Sequence, residues 1–191
     1  MPVTLEIREA ADGEAKSVAG AIKYSTESEE MTDWWGDSFV EELAPRAFEK
    51  SLQKRNVVGL WSHDTGQVLG NTKNGTLRLQ DSEECLGFEM DIPNTTAGND
   101  AWTLLKRGDV DGVSFGMIVA KDKWSKTKHD ERDVYKRTIL DADLYEISPV
   151  AFPAYPANEV KVRSLEEFKA KEKRAADEYR KQKLSLELEL L

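Results

Sequence analysis

The chain has 191 residues, 39% of them hydrophobic and 33% charged, which fits about one core-forming domain and excludes wholesale disorder. Its 36 acidic against 27 basic residues give a net charge of −9, which disfavours a sequence-wide phosphate-binding surface. One cysteine, Cys85, excludes an internal disulfide framework, and with two histidines it is too little for a typical structural zinc site.

No apolar run approaches the roughly 20 residues of a membrane span. The start, Met1-Pro2-Val3-Thr4-Leu5, lacks the basic and then apolar layout of a signal peptide. These features predict a soluble, cytoplasmic protein with no metal, no cofactor, and neither nucleic acid nor membrane as a partner.

In chain order, Thr4 to Arg8 alternates and predicts a strand. Val18 to Tyr24 predicts a second, with Gly20 as a bulge or a close backbone approach. Residues 27–42 are acidic without a base and predict an exposed loop running into a short strand at Phe39-Val40. A helix is expected near Pro45, with Phe48 and Leu52 on one face. Val57 to Trp61 is an apolar strand ending at Ser62-His63-Asp64.

Thr76 to Gln80 and Leu86 to Ile92, joined by Asp81-Ser82-Glu83-Glu84, predict a hairpin. Asn99 to Arg107 predicts a helix stopped by Gly108. Val113 to Ala120 and Val134 to Ile147 predict strands, and the charged stretch 121–133 between them predicts a loop. Pro149, Pro153 and Pro156 are expected to end regular structure.

From Ser164 the composition turns to helix formers with a thin apolar stripe, Ser164 and Glu167 having capping-box spacing. Leu184 to Leu191 alternates at period two, as a docking peptide would. The expected organisation is a compact domain over 1–162 and an appendage over 163–191.

Three residues are candidates for chemistry. A serine hydroxyl needs an adjacent base, and imidazole has the matching basicity. The imidazole needs a third group to fix its tautomer and stabilise its charged form. Ser114 in Gly112-Val113-Ser114-Phe115-Gly116, His63 at a strand end, and Glu146 in Leu144-Tyr145-Glu146-Ile147 supply those three types. Taken singly each has a plain reading: a turn serine, a structural histidine and a solvent-facing carboxylate.

The segment from Gly112 to Gly116 also fits the G-x-S-x-G elbow of α/β-hydrolases. That match reads as coincidence, because Phe115 to Val119 continues as strand rather than helix. It would also require His129, in a charged loop-like stretch, as the base.

Taken in order, the blocks resemble the prohead (capsid maturation) serine proteases of tailed bacteriophages. They are Pro45-Arg46-Ala47-Phe48, Leu60-Trp61-Ser62-His63-Asp64, Leu69-Gly70, Gly75 to Leu79, Arg107 to Gly116, and Leu144 to Pro156. The likeness runs from about Val18 to Arg163. Ser62 stands where asparagine is commoner in that family.

The resemblance implies an α+β fold similar to herpesvirus assemblin, a mostly antiparallel β-barrel core surrounded by helices. It implies a serine endopeptidase with Ser114 as nucleophile and His63 as general base. Glu146 is taken as the third member, with Asp143 as the nearby alternative. Implied substrates are scaffolding segments of the major capsid protein, the scaffold and the enzyme's own tail. Cleavage would occur in the host cytoplasm inside the assembling procapsid, by an enzyme expected to form a homodimer. The competing reading is a non-catalytic capsid assembly or scaffold protein.

Overall fold

A computed structural model of the chain describes residues 3–9, 16–32, 36–129, 132–151, 153, 173–174 and 180, with backbone alone for 3–9 and 129. The chain divides into two compact units. One is Met1–Met31 with Ser38–Tyr155, and the other is Thr32–Asp37 with Pro156–Leu191. All the strands except the end of the short one at Met31–Thr32, and both candidate partners of Ser114, fall in the first unit.

Among the described residues up to Val150, ten strands and two α-helices follow in order: β1 (Val3–Glu9), β2 (Lys16–Lys23), β3 (Met31–Thr32), β4 (Ser38–Leu43), α1 (Glu49–Leu52), β5 (Val58–Trp61) and β6 (Asp64–Asn71). After a 3₁₀ turn come β7 (Leu77–Asp81), β8 (Cys85–Asp91), α2 (Thr96–Arg107), β9 (Gly112–His129) and β10 (Arg132–Val150). They build two sheets, one in the order β1-β2-β8-β7 and one in the order β3-β4-β10-β5-β6 with β9 on β10.

Both sheets are open. A barrel closes only where its first and last strands pair, and no such pairing occurs among the described residues. The expected closed barrel ringed by helices is therefore corrected to two open, mostly antiparallel sheets with few helices. The expected C-terminal helical appendage lies almost wholly outside the described residues, of which Lys173, Arg174 and Arg180 are helical.

The core lies where apolar faces of both sheets meet. Val18, Ile22, Leu77, Leu86 and Met90 come from the first sheet; Leu43, Leu144, Ile147, Val113 and Phe115 come from the second. Gly59 and Gly70 pair across β5 and β6, and a Cβ at Gly59 would meet Met90 Sδ at 2.1 Å. The glycine pair thus makes the slot that admits a methionine from the opposite sheet.

The second sheet is organised by β10. One of its edges pairs with β9 along nearly its whole length. On the other edge Tyr135 to Ile139 pair in parallel with β4, and Glu146-Ile147 pair in parallel with β5. Between those partners the backbone groups of β10 still need hydrogen bonds. The 44–51 segment provides them: Ala44 N–H donates to Ile139 O, Ala142 N–H to Ala47 O, and Leu144 N–H to Ser51 Oγ. That demand explains why the helix expected near Pro45 appears as a turn followed by one helical turn, α1.

Several expectations change. Within the stretch expected as a loop, residues 121–129 and 132–133 are strand: β9 continues to His129, and His129 pairs with Arg132 of β10. Pro149 lies inside β10 rather than ending it. Gly20 sits in an unbroken ladder with no bulge, opposite Leu5 and Phe88. By contrast the β7–β8 hairpin forms as read, as does α2, capped by Thr95 Oγ1 and ended by Gly108 at φ 76°.

Candidate active site

β9 delivers Ser114 and β10 delivers the carboxylate. Ser114 pairs directly with Ser148, and Gly116 with Glu146. Directly opposed residues share a face, with Cβ atoms about 4.5–5.5 Å apart, and residues two apart on one strand share it too. Ser114, Gly116, Glu146 and Ser148 thus occupy one face of a two-stranded ladder.

A bulge makes this arrangement. The ladder pairs Leu144 with Met117 and then Glu146 with Gly116, leaving Tyr145 as the extra residue. Before it the core-facing positions are even, Ala142 and Leu144; after it they are odd, beginning with Ile147. Without the extra residue Glu146 would pair with Phe115, whose side chain is in the core.

Gly116 then becomes a spatial requirement. A Cβ there would meet Glu146 Oε1 at 2.7 Å, so the carboxylate lies over a position with no side chain. Gly112 is close-packed for a different reason, since its Cβ would meet Val150 O and Pro153 Cδ, each at 2.9 Å. Neither glycine forms an elbow; the chain through Ser114 is straight strand.

His63 arrives on a two-residue turn. Trp61 pairs with Asp64, so Ser62 and His63 form the tip of the β5–β6 hairpin, with φ of 50° and 61°. Those values match a type I′ turn, normally made with asparagine or glycine. The turn is tied to β10, because Ser62 N–H donates to Pro149 O and His63 N–H donates to Ser148 Oγ at 3.2 Å. His63 Nδ1 lies 2.7 Å from Glu146 Oε1, and Ser148 Oγ donates to Glu146 Oε2 at 2.6 Å.

The other nearby carboxylates are engaged elsewhere. Asp143 binds Arg55 Nη2 at 2.9 Å, and Arg55 also stacks over Tyr145. Asp64 accepts from Gly66 N–H and from Gln67, and those bonds hold its carboxyl below the usual range. Of the sequence candidates, His63 and Glu146 are in direct contact. Ser114 is buried on the same ladder face, and Asp143 is turned to another partner. His129 ends β9 near the far tip of the β9–β10 hairpin, some fifteen residues along the strand from Ser114.

A family model for the caudovirus prohead serine proteases matches residues 3–172. The chain belongs to that family. No curated protein and no solved structure matches it.

For a prohead protease, two residues here were not singled out by sequence reasoning. Ser148 links the imidazole's backbone to the acid, and Gly116 makes room for that acid. Only the adjacency of Ser148 to Glu146 at strand spacing signalled the first. The pairing of Gly116 with Glu146, which the second depends on, requires the bulge at Tyr145, and nothing in the local sequence marks it. No group of side chains suited to a metal ion occurs among the described residues, and none of their helices is long and apolar enough to cross a membrane.

Proposed function

We propose that the chain is an active serine endopeptidase of prohead maturation in which Ser114 attacks, His63 acts as general base and Glu146 orients the ring. The observation that carries this is the 2.7 Å contact of His63 Nδ1 with Glu146 Oε1 on the ladder face that bears Ser114. A carboxylate can only accept, so Nδ1 carries the proton and the other ring nitrogen is left as the acceptor a nucleophilic hydroxyl needs.

In the reaction, His63 takes the Ser114 proton as Oγ bonds to the scissile carbonyl carbon. It then returns that proton to the leaving amine as the peptide C–N bond breaks. Water repeats the sequence on the acyl-enzyme. Glu146 stabilises the imidazolium formed in each half.

The proposed substrates are extended scaffolding segments of the major capsid protein, the internal scaffold and the enzyme's own 163–191 segment, within the assembling procapsid of the host cell. The enzyme is proposed to work as a homodimer. The test is co-expression of the major capsid protein with wild-type enzyme or Ser114→Ala. The capsid N-terminus is expected to be shortened only by the wild type, and the enzyme's C-terminal mass to fall only in the wild type. Equal capsid N-termini in both would favour the scaffold-protein reading.

A further inference from the structure

Ser148 has no exposure to solvent, although it lies beside a partly exposed histidine and a carboxylate. A hydroxyl has one proton to give and two lone pairs to receive. The proton goes to Glu146 Oε2 at 2.6 Å, and a lone pair receives His63 N–H at 3.2 Å. With Glu146 Oε1 on the imidazole Nδ1 at 2.7 Å, these bonds close a ring. The ring runs from the His63 backbone through Ser148 and the carboxylate back to the His63 side chain.

Two parts of that ring would otherwise be loose. A glutamate side chain has three rotatable bonds, and a single contact to an imidazole leaves the carboxylate free to turn. The His63 backbone, at φ 61°, holds a left-handed conformation that is strained for a non-glycine residue, so the turn persists only where its surroundings fix it. Ser148 addresses both with one oxygen, from a position directly opposite Ser114.

We propose that Ser148 is a positioning residue: its hydroxyl ties the Glu146 carboxylate to the His63 turn, and so holds the imidazole in the tautomer and direction that serve Ser114. This rests on the reading of His63 and Glu146 as base and acid given above.

The test uses the full chain and a fluorophosphonate, which forms an Oγ–P bond with the reactive serine as fluoride leaves. Its rate needs no knowledge of the cleavage sequence. Wild type, Ser148→Ala, Ser148→Thr and Ser114→Ala are compared for inactivation rate against pH, for thermal unfolding, and for the downfield NMR signal of the imidazole Nδ1–H. Ser148→Ala is expected to react about tenfold more slowly, the scale of one charge-assisted hydrogen bond. It is also expected to lose or broaden the Nδ1–H signal and to show an altered acid limb of the rate–pH profile, while still unfolding cooperatively. Ser148→Thr, which keeps the hydroxyl, is expected to regain most of the rate and the signal.

The proposal is overturned if Ser148→Ala reacts within twofold of wild type with the same profile and signal. It is also overturned if Ala and Thr lose rate equally in step with a lost unfolding transition, since that marks a packing role alone. A wild type that is not labelled at Ser114 would instead defeat the underlying catalytic reading. The Ser114→Ala control separates that failure from the others.

Discussion

The two glycines that flank Ser114 look equivalent in the sequence and are not equivalent in space. At Gly116 a new methyl would meet the end of the Glu146 side chain, which can swing away at little cost to folding. At Gly112 it would meet the Val150 carbonyl and the Pro153 ring, which cannot. Gly116→Ala is therefore expected to cut fluorophosphonate labelling by tenfold or more with a stability loss under about 1 kcal/mol. Gly112→Ala is expected to lose about 1–3 kcal/mol in urea unfolding, the usual penalty of overpacking. Similar losses of stability in both would show that Gly116 is not there for the carboxylate. Ser62 is read in the same way. Its φ of 50° is a conformation that asparagine tolerates better than most residues, so Ser62→Asn is expected to fit this turn without strain. Ser114, His63 and Glu146 could be named as candidates from the sequence because the proposed chemistry constrains residue type. Ser148 and Gly116 were not, because their roles come from cross-strand register.

At the scale of elements, the largest difference between reading and structure is the β9–β10 arm. The charge density of 121–133 suggested a solvated loop, yet Asp122 within that stretch binds Arg137, whose side chain is 1% exposed, beside Glu41 at 0%. Arg137 binds Glu41 at 3.2 Å and Asp122 at 2.6 Å and lies over the Trp124 ring, which itself packs on Phe39. Three charges from β4, β9 and β10 therefore compensate one another in the place of an apolar core. Single-residue hydropathy hides such a site, because each member looks solvent-facing until its partners are known. Arg137→Met should remove the guanidinium that binds the buried Glu41 and the half-buried Asp122. A loss of about 3–5 kcal/mol in denaturant unfolding is expected. A loss below about 1 kcal/mol would mean that water reaches the carboxylates. The β7–β8 hairpin and most of α2 were legible for the opposite reason: period-two alternation and a stopping glycine are local signals, while the start of α2 at Thr96, three residues before the expected Asn99, was missed.

On the scale of the whole molecule, the sequence carried the strand content but not the closure. Alternation and β-branched runs mark strands wherever they pair, whereas openness depends on which edges meet across long separations. The slot made by Gly59 and Gly70 for Met90 shows the difference, since it joins two sheets through residues that carry no local signal. One feature of this layout has a practical reach. His129 and Arg132 pair at the far end of the antiparallel β9–β10 ladder. His63 and Ser114, the proposed base and nucleophile, come before that point in the chain, and Glu146 and Ser148 come after it. Severing the polypeptide between His129 and Arg132 would yield two halves, each lacking part of the proposed machinery and each presenting a long strand that fits the other. Expressed separately they should be inert toward the fluorophosphonate, and mixed they should regain labelling with second-order kinetics, making a protease switched on by the meeting of its pieces.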